Sequence, residues 1–389
     1  MRMRTMTHAD FLALRRFDAL DGLRAIAAVI VVFFHYARPW ATGLSGWIGV
    51  HIFFVVSGFL ITTLMLREHD RTGRISLREF YIRRIFRIWP LYYVALAVTA
   101  VGVYRSGGGW DALMNHLPHY LFFMNEYHLQ GYEPFLHTWT IGIEWKFYLV
   151  WPLVLILASR ISTRLRIPVA IAAIAAALVD WSDTWHKMGI HYSVLLIGAL
   201  LALVLHSPRG YALFRPITHP VAGVAAAVAF VVLHMHIPDL TKHFGAEEPA
   251  IFIYSLALAL VLPSLLSPGP GRWLLSLRPM VFVGERSYGL YLFQGIAVGM
   301  AGTLAPWLPG GTLLRGTVVA LVSLFVADAL YYRLEQPLIN TGRTLIKRFV
   351  RKPAAAVPAP AGPPSDRPTT PAEPLPEALP QPVPASREA

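Results

Sequence analysis

The chain has 389 residues, of which 55% are hydrophobic and only 14% charged, with a formal net charge of +12. Charged residues make up about a quarter of an ordinary soluble protein, so a soluble fold is excluded. The basic surplus lies between apolar stretches and reads as membrane topology rather than nucleic-acid binding.

The opening MRMRTMTHADFLALRRF is basic, and no small-residue cleavage site follows the first apolar stretch, which reads as a retained helix rather than a signal peptide. Apolar segments then recur at 20–38, 46–66, 88–104, 141–158, 167–180, 191–206, 219–236, 250–267, 280–303 and 313–333. A period of two is absent, which argues against an outer-membrane barrel. The expected fold is all-α: a polytopic membrane bundle of about ten transmembrane helices. The break REHDRTGRISLREFYIRRIFR carries seven arginines and is therefore expected on the cytoplasmic side. Counting from it puts both termini inside, together with Arg160, Arg164, Arg166, Arg209, Arg215, Arg272 and Arg278. The expected domains are a basic cytoplasmic N-terminus, 1–19, a membrane domain, 20–342, and a basic then Pro/Ala-rich disordered cytoplasmic tail, 343–389. The stretch from Leu113 to Thr140, rich in aromatics and histidine, is expected to be an external or re-entrant segment against the bundle.

Within the first span, Arg24 and His35 are eleven positions apart, which puts them within ~20° of one helix face and ~16 Å apart along the axis. Each has a plain reading, Arg24 as a snorkelling anchor and His35 as an interfacial residue. Ionisable groups inside a membrane are costly, however, and mark functional sites by default. Glu144 opens the fourth span at about the depth of His35, where a carboxylate could orient an imidazole base; pairing with Lys146 is the structural alternative. Arg84 and Arg87, three apart, share a face at the start of the third span and could grip phosphates, or could simply report topology. Ser57-Gly58, Ser287 and Tyr288 read first as helix-packing positions, and with Gln294 as candidate site-lining residues; a serine nucleophile at Ser57 is disfavoured, since no triad is visible nearby. The histidines show no metal-ligand spacing, so no metal and no bound cofactor is expected. With no cysteine in the chain, disulfides, thiol nucleophiles and cysteine–metal sites are excluded as well.

Several stretches taken together resemble the acyltransferase 3 family of integral-membrane enzymes. They are FDALDGLRAIAAVIVVFFHY, GVHIFFVVSGFLIT, FYIRRIFRIWPLYY, TWTIGIEWKFYLVWPL, SYGLYLFQ and YYRLEQPLIN, in the family's order over about residues 17–342. The resemblance implies a ten-helix bundle in a bacterial cytoplasmic membrane. It also implies an acyl-CoA co-substrate, acetyl-CoA by default, and transfer to a hydroxyl of an extracytoplasmic glycan or lipid-linked saccharide. Carried over by position, His35 is the base with Glu144 assisting it, Arg24 is its first-helix partner and binds the donor, and Arg84 and Arg87 contact the donor's phosphates. Glu144, Ser57 and Gly58 match further motif positions, and the stand-alone form without a fused esterase-like domain is expected. The chain departs from the family pattern at Trp145-Lys146, at Gln294 in place of a histidine, and at His51 in place of an aspartate. The rival reading is a transporter or flippase of glycan precursors, which inverted repeats would favour; none is visible.

Overall fold

The computed structural model describes residues 5–38, 41–127, 133–179, 183–304, 306–307 and 309–350. The expected tail from 351 onward lies outside the described residues. Among the described residues there is no strand, and the fold is all-α. The ten expected apolar segments fall on α1 Asp18–Tyr36, α2 Gly49–Thr72, α3 Leu77–Ser106, α4 Trp139–Ile161, α5 Arg166–Ala177, α6 Asp183–His206, α7 Pro220–Met235, α8 Glu247–Leu266, α9 Ser287–Leu304 and α10 Leu313–Leu330, except that the expected segment 280–303 is broken, its start lying on a separate short helix, Arg278–Glu285. Seven helices among the described residues are long and apolar enough to cross a membrane, or eight if the bent pair Pro208–Thr218 and Pro220–Met235 forms one span. α5 shows why length matters. Its 12 residues reach only ~18 Å at 1.5 Å per residue, against a hydrocarbon core of ~30 Å.

Local chemistry sets the helix ends. Gly73 and Gly107, at φ 72° and 70°, close α2 and α3 in the left-handed conformation that glycine tolerates best. The Ser76 hydroxyl caps α3 by accepting from the Glu79 amide. α2 crosses α6 at close range. Gly58 lies against the Leu195 carbonyl and Gly198 against the Val55 carbonyl, with no room for a β-carbon at either. Small residues allow such close backbone approach where the hydrophobic effect cannot drive helices together. Beside this crossing, His51 and His191 are joined Nε2 to Nδ1 at 3.0 Å.

The stretch after α3 folds back onto α3 and α4 as short helices, Trp110–Leu121, Asn125–Tyr127 and Glu133–Leu136. Leu113, Tyr120, Phe123 and Phe135 are buried there. The Tyr92 hydroxyl donates to the Tyr120 carbonyl at 2.8 Å, and Asn125 Nδ2 donates to Thr138 Oγ1 at 2.6 Å. The buried Glu126 carboxylate pairs with Lys146 Nζ at 2.5 Å and accepts from the Tyr192 hydroxyl at 3.1 Å. Lys146 Nζ also donates to the carbonyl of Phe123, a residue at φ 57°. A non-glycine residue there is uncommon and persists where its surroundings hold it.

Candidate active site

One face of α2, Val50, Phe53, Phe54, Ser57, Leu60, Ile61 and Leu64, lines a cavity of about 200 Å³. Val50 and Leu64 are fourteen positions apart, so the lining runs ~21 Å along the helix. The cavity is thus a slot reaching most of the way through a bilayer core of ~30 Å. Arg24 from α1 and Arg84 and Arg87 from α3 line it together with Asp21, and the Arg24 guanidinium lies 6.0 Å from the Phe53 ring centroid. Thr140 from α4 and Tyr291 from α9 line it beside Val50. There the Thr140 hydroxyl donates to the Tyr291 hydroxyl at 2.9 Å, which in turn donates to the His137 carbonyl at 2.6 Å.

The arginines differ in what they already hold. Arg83 is taken by Glu68 at 3.1 Å and Glu79 at 3.0 Å, and it does not line the slot. Arg24 lies 3.6 Å from Asp21. Arg84 sits 5.7 Å from the ring centroids of Phe80 and Tyr148, and its buried Nε has no hydrogen-bond partner among the described residues. Glu335 is a further buried carboxylate, outside the slot lining, on which the charges of Arg87 and Arg24 act.

Midway along the slot, the Ser57 hydroxyl donates to Glu144 Oε1 at 2.5 Å. Lys146 belongs to Glu126, so the pairing of Glu144 with Lys146 weighed from sequence is not what the fold builds. Nor does Glu144 hydrogen-bond to His35: its company is Ser57, Tyr148, Arg24 and Arg84. His35 is exposed near the end of α1, with its ring centroid 5.4 Å from that of Phe34 and 6.0 Å from that of Tyr36. It lies beyond the slot lining, and its nearest titratable neighbours are Arg38 and His137. The ring of His137 donates from Nε2 to the Leu292 carbonyl at 3.1 Å, which fixes the tautomer and leaves Nδ1 with a free lone pair. Burial pushes its pKa down to about 4; the Leu292 bond opposes this and the His35 charge adds to it. His137 is therefore a neutral ring at any pH above about 5.

The family model described as an acyltransferase domain matches residues 17–332, a run that carries every residue lining the slot. The chain belongs to the acyltransferase 3 family. It is 28% identical over 371 residues to the "Putative peptidoglycan O-acetyltransferase YrhL" of Bacillus subtilis, covering 86% of this chain and 57% of that protein. It is 27% identical over 309 residues to the O-acetyltransferase OatA of Staphylococcus aureus, covering 72% of this chain and 50% of that protein. The chain thus spans about half the length of these relatives. No solved structure matches it.

Set against the acyltransferase 3 pattern, the departures mostly face away from the slot. Trp145 packs on Trp89 and Phe123, with centroids 5.4 and 5.5 Å away, and Lys146 reaches Glu126. Of the small and polar positions that the sequence singles out on α2 and α9, Ser57, Ser287 and Tyr288 line the slot. Gly58 and Gln294 do not: Gly58 serves the α2–α6 crossing, and Gln294 is buried in α9 with neither end of its amide bonded among the described residues. Ser287 Oγ is likewise buried and unbonded, but in the slot wall. Sequence reasoning missed His137, Thr140, Tyr148, Tyr291 and Glu335, all of them inside stretches that match the family or stand out as unusual.

Proposed function

We propose that the protein is an O-acyltransferase that takes an acyl group, acetyl by default, from acyl-CoA on the cytoplasmic side. It passes the group to a hydroxyl of a glycan or lipid-linked saccharide on the outer side of a bacterial cytoplasmic membrane. The observation that carries this reading is the slot itself, whose lining holds three arginines, a carboxylate and the serine hydroxyl bonded to it. Arg84 and Arg87 would bind the donor's phosphates, since guanidinium groups form strong charge-assisted bonds to phosphate, while Arg24 marks where the donor's arm enters. A thin, flexible thioester arm fits a narrow slot that crosses most of the membrane. The charge rule puts the Leu64 end of the slot inside, because α2 runs from there into the arginine-rich connection before α3.

At the other end, His35 takes the proton of the acceptor hydroxyl as its oxygen attacks the acyl carbon. Its exposure suits a base that must meet a large acceptor from outside. The test is acyl-CoA-dependent labelling of glycan by membranes carrying the protein. Replacing His35 by Ala should abolish labelling in a protein that still inserts and purifies as a folded monodisperse species. Full labelling by His35→Ala would remove the base assignment. Glycan export that needs no acyl-CoA would instead favour a flippase.

A further inference from the structure

We propose that Ser57 is a covalent acyl carrier, activated by Glu144, so that transfer proceeds in two half-reactions across the membrane rather than in one. The proposal rests on the donor reading above and goes beyond it in the path the acyl group takes. Three observations carry it. Ser57 Oγ and Glu144 Oε1 are 2.5 Å apart, the contact that nucleophilic catalysis requires between a hydroxyl and its base. The base is itself held by a third set of groups, with Tyr148 one turn further along α4 and the Arg24 and Arg84 charges acting on it. The position is also central: Ser57 lies seven residues from Leu64 and seven from Val50 in the lining of α2, ~10 Å each way. His35, by contrast, does not line the slot and has no contact with Glu144. A single base therefore does not serve both ends.

In the first half-reaction, Ser57 Oγ attacks the thioester carbonyl while its proton moves to Glu144. The carbon–sulfur bond breaks, and coenzyme A leaves as a thiolate that is protonated by water on the cytoplasmic side. The product is an ester on Ser57. In the second, the acceptor hydroxyl reaches into the slot and attacks that ester, its proton passing along water in the slot to His35 beyond the Val50 end and from there to the outer water. The bond from the acyl carbon to Ser57 Oγ breaks, and Glu144 returns its proton to the serine oxygen. The sum is thioester plus alcohol giving ester plus thiol.

An acyl-enzyme formed without acceptor makes the first half-reaction reversible by itself. The purified full-length protein in lipid nanodiscs, given unlabelled acetyl-CoA and isotope-labelled coenzyme A with no glycan, should therefore form labelled acetyl-CoA. Direct transfer forms none. Ser57→Ala should bind acetyl-CoA in a titration as the parent does, yet show exchange no faster than protein-free controls. Ser57→Cys, which keeps a nucleophile, should accumulate a hydroxylamine-sensitive acetyl group located by peptide mass spectrometry. Binding without exchange in the parent protein would overturn the carrier while leaving the donor site standing. Exchange undiminished in Ser57→Ala would overturn it too. Failure of the parent to bind acetyl-CoA at all would remove the donor reading, and the carrier with it.

Discussion

Two carboxylates, the buried Glu126 and the half-buried Glu144, are both tied to α4, and the fold treats them in opposite ways. Glu126 reaches it from the preceding segment, pairs with Lys146 and accepts from Tyr192, and its Oε2 crowds the Cα of Gly142. It does not line the slot, and its charge is neutralised by one cation on the neighbouring element. Glu144 faces the slot, holds a serine hydroxyl, and shares two arginines with whatever anion enters. A carboxylate enclosed with its own cation is part of the scaffold. One that opens on an accessible cavity, bonded to a hydroxyl, is placed to move a proton. The partner is what separates the two.

The sharpest way to break that contrast is to neutralise each member in turn. Glu144→Gln keeps the shape and can still bond to Ser57, but it cannot accept a proton. Acyl transfer should fall by roughly 10²- to 10⁴-fold, the usual contribution of a general base, with little change in thermal unfolding. An activity loss that merely tracked a loss of folded protein would put Glu144 in the same class as Glu126. Lys146→Met does the opposite. It leaves Glu126 charged, buried and alone, which costs about 3–5 kcal/mol. The variant should therefore unfold at lower denaturant concentration, while the molecules that remain folded transfer at near the parent rate. Adding Glu126→Gln to it should recover much of the loss. Arg84→Ala is expected to be milder. Removing a charged hydrogen-bonding group from a donor site is worth about 1.5–3 kcal/mol, so acetyl-CoA affinity in a titration should weaken by roughly 10- to 100-fold. An unchanged affinity would mean that the guanidinium serves topology only.

How far these contrasts could be read from sequence differs residue by residue. Arg84 and Arg87 were legible because three-residue spacing puts them on one helix face, and the structure sends both into the slot while Arg83 goes to Glu68 and Glu79. The α2 face at Val50, Ser57 and Leu64 has a helical period, and Ser57-Gly58 was visible as a small-residue pair. What spacing could not show is that the two members part, Ser57 toward the slot and Gly58 toward α6. The Ser57–Glu144 bond joins positions 87 apart, and no local pattern encodes which helices become neighbours. Lys146 illustrates the same limit. It stands two residues from Glu144, yet its partner comes from the irregular turn at Asn125–Tyr127, held in place by a Phe123 backbone that sequence rules disfavour. His35 was legible as a costly residue near a membrane boundary. Its neighbour His137 was not, because its role depends on the Leu292 carbonyl on another helix.

The smallest effect expected concerns Gln294, and it tests whether the slot and the surrounding packing are separate. Its amide is buried in α9 with both polar atoms unbonded among the described residues. A buried polar group without a partner costs about 1–3 kcal/mol relative to one that is satisfied, and an apolar side chain of similar size avoids that cost. Leucine nearly matches glutamine in volume, so Gln294→Leu should raise the unfolding temperature rather than lower it. Since Gln294 does not line the slot, acetyl-CoA binding and acyl transfer should be unchanged. If the variant were instead more stable but slower, the amide would be reaching the reacting groups through α9, whose Tyr291 closes the slot three residues earlier. The boundary between site and scaffold would then run through that helix rather than beside it.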